Sequence, residues 1–492
     1  RKRFADGSES VYRHDSRGNL IEAQDGRGIT VFTYNTHDDL MRVAYPGNRW
    51  IEFAYDPFGR RASSLDQLGY RVEYHYDESG RLSGLSDHTG DMVTYAYDAL
   101  GRLGLKTMGN GVSTTYTYDP AGRLLELVNR TPDQTVLSRF AYTYDRRGRR
   151  TASQTHYGVW TYQYDDVGQL TRAVLQSTDP DIPSQNLVYE YDAVGNRIRT
   201  QVNGPDEDYV VNDLNQYLRV GNRICTYDLD GNLIREDGPG GSSIYTYNDE
   251  NRLIGVARGG DTWTYTYDAL GNRVAVDKNG AVTHYVHDPM GLADLAAEYD
   301  DLGRLVARHV HGLGLVSRTP AGRQPDYYTY DPMGNTSELS GPSGILRNAY
   351  AYRPFGEAIS AHQTVANPFH FMGEVGIMAD SAGWQYVRAR HYDARAGRFT
   401  AMDPVGFFGG DHNLYRYAMN SPVHMFDPSG FAKACATHRA MADMALGAAS
   451  VVGGACLAVS GAAAGAVGGP AGSAGGGAPG LMLMGYGVLN MW

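Results

Sequence analysis

Two aspartates near the C-terminal end of the chain have the residue type and the surroundings that peptide hydrolysis requires. Asp403 and Asp427 each open an Asp-Pro-x-Gly tetrapeptide, and an Asn-Leu-Tyr-Arg-Tyr segment, residues 413–417, lies between them. Amide hydrolysis near neutral pH needs one carboxylate to activate water and one carboxylic acid to protonate the leaving amine, and two nearby aspartates that share one proton supply both. The same tetrapeptide also forms simple turns, in which Asp caps and Pro fixes φ, as we expect at Asp288 and Asp331. On spacing alone, both interpretations are open for Asp403 and Asp427.

A repeated unit fills most of the chain before these aspartates and must supply the scaffold that positions them. The unit reads Tyr-x-Tyr-Asp-x-x-Gly-Arg/Asn-Arg/Leu, with good copies beginning at Tyr74 and Tyr95, and its second Tyr recurs every 21 residues from Tyr34 to Tyr118. Two tyrosines separated by one residue lie on the same face of a β-strand. Asp-x-x-Gly predicts a turn, because Asp accepts local backbone hydrogen bonds and Gly tolerates positive φ. Each repeat is therefore predicted to form about one β-hairpin.

The repeats predict an all-β fold in which the hairpins add edge to edge into a long strip. A flat strip of this length would expose its edges, so we expect it to twist and wind into a large hollow shell, or cocoon. Rows of Tyr would give this shell one face that is aromatic and also able to form hydrogen bonds. Taken singly, most of the tyrosines are expected to be ordinary strand aromatics, since Tyr is a good β-former. The 37 Tyr and 61 Gly agree with short strands and tight turns.

Composition excludes several classes of function for the shell. The formal net charge of −11 argues against nucleic acid as a partner, because holding a polyanion needs a basic face. The three cysteines are too few and too widely spaced for a disulfide framework or a CxxC metal site. His309 and His311 alternate on a predicted strand without a third ligand nearby, so no metal and no cofactor are expected. The first residues are polar and lack the apolar stretch of a secretory signal, from which we expect the sequence to be a fragment.

Changes in the repeat spacing divide the chain into four predicted segments. Residues 1–287 contain the regular repeats of the shell. The spacing then loosens and new motifs appear, so residues 288–396 are expected to end the shell and begin a core module. Residues 397–431 contain both Asp-Pro-x-Gly tetrapeptides, and residues 432–492 begin a variable C-terminal region.

The segment 397–431 resembles the RHS repeat-associated core, whose signature is GRF…DPxG…NLYxYxxNxPxxxxDPxGL. The resemblance implies a β-cocoon that encloses a variable C-terminal polypeptide, typically a toxin, and an aspartyl autoprotease that cuts just after the second DPxG. Carried onto this sequence, it makes Asp403 and Asp427 the catalytic carboxylates and places the cut between Phe431 and Ala432. The chain has Phe431 where the family usually has Leu, and both side chains are apolar and similar in reach. A bond so close to Asp427 in the chain is cut intramolecularly, with a large effective molarity.

Arg398 is a candidate supporting residue because it lies just upstream of Asp403. A guanidinium there could orient a carboxylate or polarise a carbonyl. The alternative role for Arg398 is an ordinary ion pair at the surface.

The end of the chain contains no charged residue after Asp443 and is rich in Ala and Gly. We expect a short helical tail, because Met444 to Val467 is long enough to span a bilayer as a helix. Three interpretations are open for residues 444–492: a membrane-active toxin or its leading part, a helix kept from water inside the shell, or a flexible stretch before a toxin domain. Ala and Gly make the tail only marginally hydrophobic, so a membrane is expected as a partner only if the tail inserts into it.

The resemblance implies that the chain is the shell of a toxin that is secreted or delivered into a target cell. This shell would enclose the segment from Ala432 onward and release it by self-cleavage after Phe431. The expected partners are this C-terminal segment, a secretion-system spike or toxin-complex partner, and an immunity protein. The alternative from another class is a cell-surface adhesion or carbohydrate-binding protein, in which exposed tyrosines stack on sugars and no cleavage occurs. A scaffold with an inactive core would differ only in whether Asp403 and Asp427 come together.

Overall fold

Most repeats form a hairpin whose turn is closed by an Asp and a Gly of the repeat itself. The computed structural model describes residues 1–380 and 383–431, together with the backbone of residues 434–435. In a representative turn, Asp77 Oδ1 accepts hydrogen bonds from the backbone N–H groups of Ser79 and Arg81, both at 2.9 Å, and Gly80 N donates to Asp77 O at 2.9 Å. Gly80 has a φ of 79°, a conformation that most side chains disfavour. The predicted turn chemistry is confirmed.

The hairpins form one sheet of 35 short strands. These strands are β1 (Lys2–Arg3), β2 (Glu9–His14), β3 (Leu20–Asp25), β4 (Gly28–Tyr34), β5 (Leu40–Tyr45), β6 (Arg49–Tyr55), β7 (Arg61–Asp66), β8 (Arg71–Tyr76), β9 (Leu82–Asp87), β10 (Gly90–Tyr97), β11 (Leu103–Met108), β12 (Ser113–Tyr118), β13 (Leu124–Arg130), β14 (Val136–Tyr144), β15 (Arg150–Thr155), β16 (Gly158–Tyr164), β17 (Leu170–Ser177), β18 (Gln185–Tyr191), β19 (Arg197–Val202), β20 (Asp206–Val211), β21 (Tyr217–Val220), β22 (Arg223–Tyr227), β23 (Leu233–Gly238), β24 (Gly241–Tyr247), β25 (Leu253–Arg258), β26 (Asp261–Tyr267), β27 (Arg273–Lys278), β28 (Ala281–Asp288), β29 (Asp294–Asp300), β30 (Leu305–Gly312), β31 (Gly314–Pro320), β32 (Asp326–Tyr330), β33 (Thr336–Ser340), β34 (Leu346–Tyr352) and β35 (Ala358–Gln363). Each strand pairs antiparallel with the next one along the chain. The sheet is therefore a continuous strip of hairpins.

A β-bulge recurs along the strip at the second Tyr of the repeat. The pairing register shifts between His75 and Tyr76, between Ala96 and Tyr97, and at the equivalent place in later repeats. A bulge bends its strand and increases the local right-handed twist. Because the same bulge is repeated along the strip, the bends accumulate and the strip winds instead of staying flat.

A ladder of tyrosine hydroxyls and arginine side chains links each hairpin to the one before it. Tyr97 OH donates to Leu82 O of the preceding hairpin at 2.6 Å. Arg81 Nη2 lies 2.7 Å from Asp77 Oδ2 in its own turn, and the Arg81 guanidinium carbon lies 4.4 Å from the centroid of the Tyr97 ring. The same hydroxyl-to-carbonyl bond recurs at Tyr34, Tyr55, Tyr76, Tyr118, Tyr144, Tyr164, Tyr191, Tyr267 and Tyr330. These tyrosines are strand aromatics and also connectors between repeats.

The strip winds so that its second turn lies beside its first. Tyr12 OH donates to Ala269 O, 257 residues later in the chain. Arg61 and Asp288 form an ion pair between the two turns, with Arg61 Nη2 2.9 Å from Asp288 Oδ1. The two turns share an apolar cluster that includes Phe32, Val43, Phe53, Val286 and Tyr299. This wound strip of hairpins confirms the predicted all-β fold class.

A core module of short strands and 3-10 turns follows the strip. Its strands are β36 (Met378–Ala379), β37 (Gln385–Val387), β38 (Arg390–Asp393), β39 (Arg398–Phe399), β40 (Met425–Phe426) and β41 (Ala434–Cys435), and its 3-10 turns lie at Gly373–Val375, Gly406–Gly409 and Ala418–Asn420. One further 3-10 turn, Pro342–Gly344, lies within the strip between β33 and β34. Strands β36 to β39 form a four-stranded antiparallel sheet. Trp384 stacks on Tyr245 of the strip with ring centroids 4.3 Å apart. The module is thus packed directly against the strip.

No helix in the part of the chain that the structure describes is long and apolar enough to cross a membrane. The tail, residues 444–492, for which a helical form and a membrane were predicted, lies outside the described residues. Ala432, on the far side of the predicted cut, also lies outside them.

Candidate functional site

Asp403 and Asp427 each occupy the turn that their tetrapeptide predicts. Asp403 Oδ1 accepts a hydrogen bond from Val405 N at 3.0 Å. Asp427 Oδ1 accepts from Ser429 N at 3.2 Å and from Gly430 N at 2.8 Å. Both turns therefore use the Oδ1 oxygen of the aspartate, and the two Oδ2 oxygens point to a common neighbour.

That neighbour is Arg390, which opens strand β38 of the core module. Arg390 Nη2 lies 3.0 Å from Asp403 Oδ2 and 3.2 Å from Asp427 Oδ2. All three side chains are almost completely removed from solvent, with 3%, 10% and 4% of the side-chain surface of Arg390, Asp403 and Asp427 exposed. One guanidinium nitrogen thus brings together two carboxylates that lie in different turns.

The remaining contacts of Arg390 fix the direction of its guanidinium group. Arg390 Nε donates to Gly430 O at 2.5 Å, and Arg390 Nη1 donates to Leu414 O at 2.9 Å. The guanidinium carbon lies 3.5 Å from the centroid of the Phe399 ring. Because every nitrogen of the group has a partner and one face is covered by an aromatic ring, Arg390 can hold the two carboxylates in one geometry.

The predicted cleavage residue, Phe431, lies in the same cleft as the carboxylates. A Cβ atom placed on Gly409 would meet Asp403 Oδ2 at 2.8 Å and the carbonyl oxygen of Phe431 at 2.9 Å, so these two oxygens lie close to the same point. Phe431 N donates to Ser429 Oγ at 3.1 Å, which holds this residue against the Asp427 turn. The cleft lined by Arg390, Asp403, Asp427 and Phe431 has a volume of about 20 Å³ that the centre of a water molecule can occupy, which is room for one water.

Burial raises the pKa of Asp403 to about 6, although the nearby Arg390 guanidinium acts in the opposite direction. The Asp427 carboxylate adds a smaller upward contribution, because two like charges disfavour each other. Burial also lowers the pKa of Arg390, an effect that Asp403 and Asp427 oppose. Asp403 is therefore suited to carry a proton close to neutral pH, as a general acid must.

Arg398 was a candidate for orienting the two carboxylates. Its described contacts include neither of them. Arg398 Nη2 donates to Asn215 O at 2.6 Å, and its guanidinium carbon lies 3.8 Å from the centroid of the Tyr217 ring. The alternative of a surface ion pair is also wrong, because Arg398 is buried. The cation that contacts both carboxylates is Arg390. In the sequence, Arg390 was marked only by its place in a distinctive core motif before the Gly-Arg-Phe segment.

Two further residues hold the Asp427 turn against the core module. Arg388 Nη1 donates to Pro428 O at 2.7 Å, and Arg388 Nη2 contacts Asp294 Oδ1 at 2.9 Å. Gly430 has a φ of 75°, and a Cβ atom at this position would lie 2.5 Å from Val387 O. Only glycine fits there, so the last residue of the second tetrapeptide is determined by this close approach.

Two family models match this chain, and the longer match covers more than half of the strip together with two residues of the site. A family model described as Teneurin YD-shell matches residues 159–423, which is more than half of the chain and includes Arg390 and Asp403. A second model, described as RHS Repeat, matches residues 76–111.

Curated relatives match this chain over short parts of their own length. Toxin protein Tse5 of Pseudomonas aeruginosa is 33% identical over 104 residues, which cover 21% of this chain and 8% of Tse5. Toxin subunit YenC2 of Yersinia entomophaga is 30% identical over 109 residues, which cover 21% of this chain and 11% of YenC2. The tRNA nuclease WapA of Bacillus subtilis is 26% identical over 291 residues, which cover 58% of this chain and 9% of WapA. This chain therefore spans only a small part of each of these proteins.

Solved structures show the same fold. The crystal structure of TcdB2-TccC3 superposes with a TM-score of 0.71 at 18% identity, over 86% of this chain and 26% of that chain. The crystal structure of TcdB2-TccC3-Cdc42 superposes with a TM-score of 0.72 at 18% identity, over 90% of this chain and 25% of that chain. On its repeats, its wound sheet and these matches, the chain belongs to the Teneurin YD-shell family and carries RHS repeats.

Proposed function

We propose that this chain is the shell of an RHS-type toxin that encloses its own C-terminal segment and frees it by cutting itself after Phe431. The observation that carries the proposal is the meeting of Asp403 and Asp427 at Arg390, with the Phe431 carbonyl beside them. Aspartyl hydrolysis requires two carboxyl groups at one point, and this arrangement supplies them beside the Phe431 carbonyl.

The proposed reaction is hydrolysis of the Phe431–Ala432 peptide bond. Asp427 takes a proton from water as the water oxygen bonds to the carbonyl carbon of Phe431. Asp403, whose pKa burial raises to about 6, donates its proton, and the Ala432 nitrogen leaves as an amine when the C–N bond breaks. The products are a carboxyl group on Phe431 and a free N-terminus on Ala432, with one water consumed. Both catalytic turns belong to the same chain as the bond, so positioning is already complete when the chain has folded.

Enclosure of the C-terminal segment is supported by the wound strip and by the names of the relatives. Tse5 is named a toxin protein and YenC2 a toxin subunit. By analogy, the partners proposed for this chain are its own segment from Ala432 onward, a toxin-complex subunit or secretion-system spike, and an immunity protein. The protein is then secreted or delivered into a target cell.

The competing function, adhesion or carbohydrate binding through exposed tyrosines, has less support. Every tyrosine in the described part of the chain is buried or half-buried. Many of their hydroxyls are used for the ladder between repeats, as at Tyr97 and Tyr118. A sugar-stacking platform needs an accessible ring face, which these tyrosines do not offer.

The test is the intact mass of the full chain, residues 1–492, beside the Asp403→Asn and Asp427→Asn variants. Asparagine keeps the Oδ1 acceptor that each turn uses but removes the charge and the proton, so we expect both variants to fold and to stay uncut. Wild type should split between Phe431 and Ala432. Asp331→Asn, in an identical type of tetrapeptide away from the cleft, is the matched control and should be cut like wild type. An uncut wild type, or cleavage in both Asp403→Asn and Asp427→Asn, would refute the proposal.

A further inference from the structure

The loop between the two catalytic turns is held by hairpin turns of the strip that lie far earlier in the chain. Asn413 Nδ2 donates to Asn196 Oδ1 at 2.7 Å, although the two residues are 217 positions apart. Tyr415 OH donates to Gly231 O at 2.7 Å. All four residues are buried. The loop is therefore attached to two separate hairpins of the first turn of the strip.

The residue between these two anchors connects directly to the catalytic groups. Leu414 O accepts hydrogen bonds from Asp403 N at 3.0 Å and from Arg390 Nη1 at 2.9 Å. The Leu414 carbonyl thus sets the position of one catalytic carboxylate and of the guanidinium that bridges both. If Asn413 or Tyr415 lost its anchor, this carbonyl would move, and Asp403 and Arg390 would move with it.

The approach to Asp427 is anchored in the same way. Asn420 Nδ2 donates to Gly195 O at 2.8 Å and to Gln169 Oε1 at 2.9 Å. Arg150 Nη1, from strand β15, donates to Val423 O at 2.8 Å, shortly before Asp427. Both catalytic turns are therefore placed by contacts with the wound strip, and neither is placed by local sequence alone.

We propose that Asn413, Tyr415 and Asn420 are positioning residues for self-cleavage. Their partners lie in the strip turns at Asn196, Gly231 and Gln169. The protease is therefore complete only after the strip has wound far enough to bring these turns against the core module. The inference rests on the proposed function and adds an order of events to it. Winding comes first and cleavage second, so an open shell does not free the C-terminal segment. The anchoring side chains are amides and a hydroxyl whose partners come from distant hairpins, and they have no such partners before winding.

The test compares the rate of self-cleavage of two full-chain variants, Asn196→Ala and its control Asn19→Ala. Each is made by cell-free synthesis, and its cleavage is followed over time by gel and intact mass. The two asparagines have the same role in their own turns, since Asn196 Nδ2 lies 2.9 Å from Asp192 Oδ2 and Asn19 Nδ2 lies 3.0 Å from Asp15 Oδ2. Asn19 contacts Asp38 instead of the core module. Loss of the buried hydrogen bond that anchors Asn413 is expected to slow cleavage by about tenfold in Asn196→Ala, with Asn19→Ala cut at the wild-type rate.

A second measurement separates positioning from a general loss of stability. If Asn196 and Asn413 act through their shared bond, the double variant Asn196→Ala/Asn413→Ala cleaves no more slowly than the slower single variant. Thermal unfolding is compared on an uncut Asp403→Asn background, where Asn196→Ala and Asn19→Ala should both stay folded at the temperature of the cleavage assay. A wild-type rate in Asn196→Ala, or equal slowing in Asn19→Ala, would overturn this inference while leaving the proposed function intact. An uncut wild type would overturn both.

Discussion

At the scale of single residues, burial and the charge balance around Arg390 explain why the pKa of Asp403 lies above its ordinary value. One guanidinium faces two aspartates, so the site carries a surplus negative charge when both are ionised. Burial and like-charge repulsion both favour uptake of a proton, and they raise the pKa of Asp403 to about 6. A raised pKa suits Asp403 to the proton-donor role that the proposed reaction gives it.

The first-order rate of cleavage is expected to fall as pH rises above about 6. Asp403 must carry a proton to act as the acid, and the protonated fraction falls about tenfold for each pH unit above its pKa of about 6. The measurement is the rate of appearance of the cut product between pH 5 and pH 8, with folding checked by circular dichroism at each pH. A rate that increases with pH over this range would assign the acid role to a different group.

At the scale of the secondary-structure element, the hairpin is stabilised by side chains that each serve two neighbours. Arg81 pairs with Asp77 in its own turn and covers the Tyr97 ring of the next hairpin, while Tyr97 reaches back to Leu82. Individual contacts of this kind are small, but they repeat along the strip. Their sum adds to the buried apolar cluster of these hairpins, which includes Leu85 and Val93, in holding them in register.

Replacing Tyr97 with Phe should weaken one step of this ladder. The variant loses the 2.6 Å bond to Leu82 O and is expected to cost about 1 kcal/mol, while the ring contact with Arg81 is kept. Hydrogen exchange of strands β9 and β10 measures this local loss. Leu100→Ala, at a turn tip with 74% exposure, is the control and should leave exchange unchanged. Equal protection in Tyr97→Phe and wild type would show that the hydroxyl bond contributes nothing.

Several turns of the strip contact the core module through the side chain that follows their Gly. Asn196 binds Asn413, Gln169 accepts from Asn420, and Asn335 Oδ1 accepts from Met372 N at 2.9 Å. The Gly-Arg turn at Arg81 instead uses its long side chain for its own Asp and the next Tyr. Residue type alone does not separate these two kinds of turn, since Asn19 pairs with Asp38 of the strip.

At the scale of the whole molecule, winding brings the first and second turns of the strip into contact along a seam. The seam between the first and second turns contains apolar side chains, such as Phe53 and Val286, and the ion pair between Arg61 and Asp288. This pair is mostly removed from solvent, with 13% and 20% of its side-chain surfaces exposed. Removing one partner alone would leave a charge without its counter-ion in the seam.

Arg61→Met is expected to destabilise the seam by about 3 kcal/mol, because it leaves the Asp288 carboxylate unpaired. The double variant Arg61→Met/Asp288→Asn removes both charges and should recover part of that loss. Hydrogen exchange of strands β7 and β28 reports local opening of the seam in each variant. If the single and double variants open equally, the ion pair does not hold the two turns together.

The sequence by itself determined the hairpin, the strand face of each Tyr and the turn at each Asp-x-x-Gly, because these features depend on the two-residue period of a strand and on hydrogen bonds within five residues. Family resemblance added the roles that we propose for Asp403, Asp427 and Phe431. Only the tertiary structure decided which cation joins the carboxylates, since Arg390 and not Arg398 is directed at them. It also decided which hairpin turns hold the catalytic loop, as with Asn196 and Asn413. Such partners are distant in the chain, and they meet only because the strip winds. The winding depends on the bend angle of each repeat, and small bends add up over many repeats. No single repeat therefore specifies which partners meet.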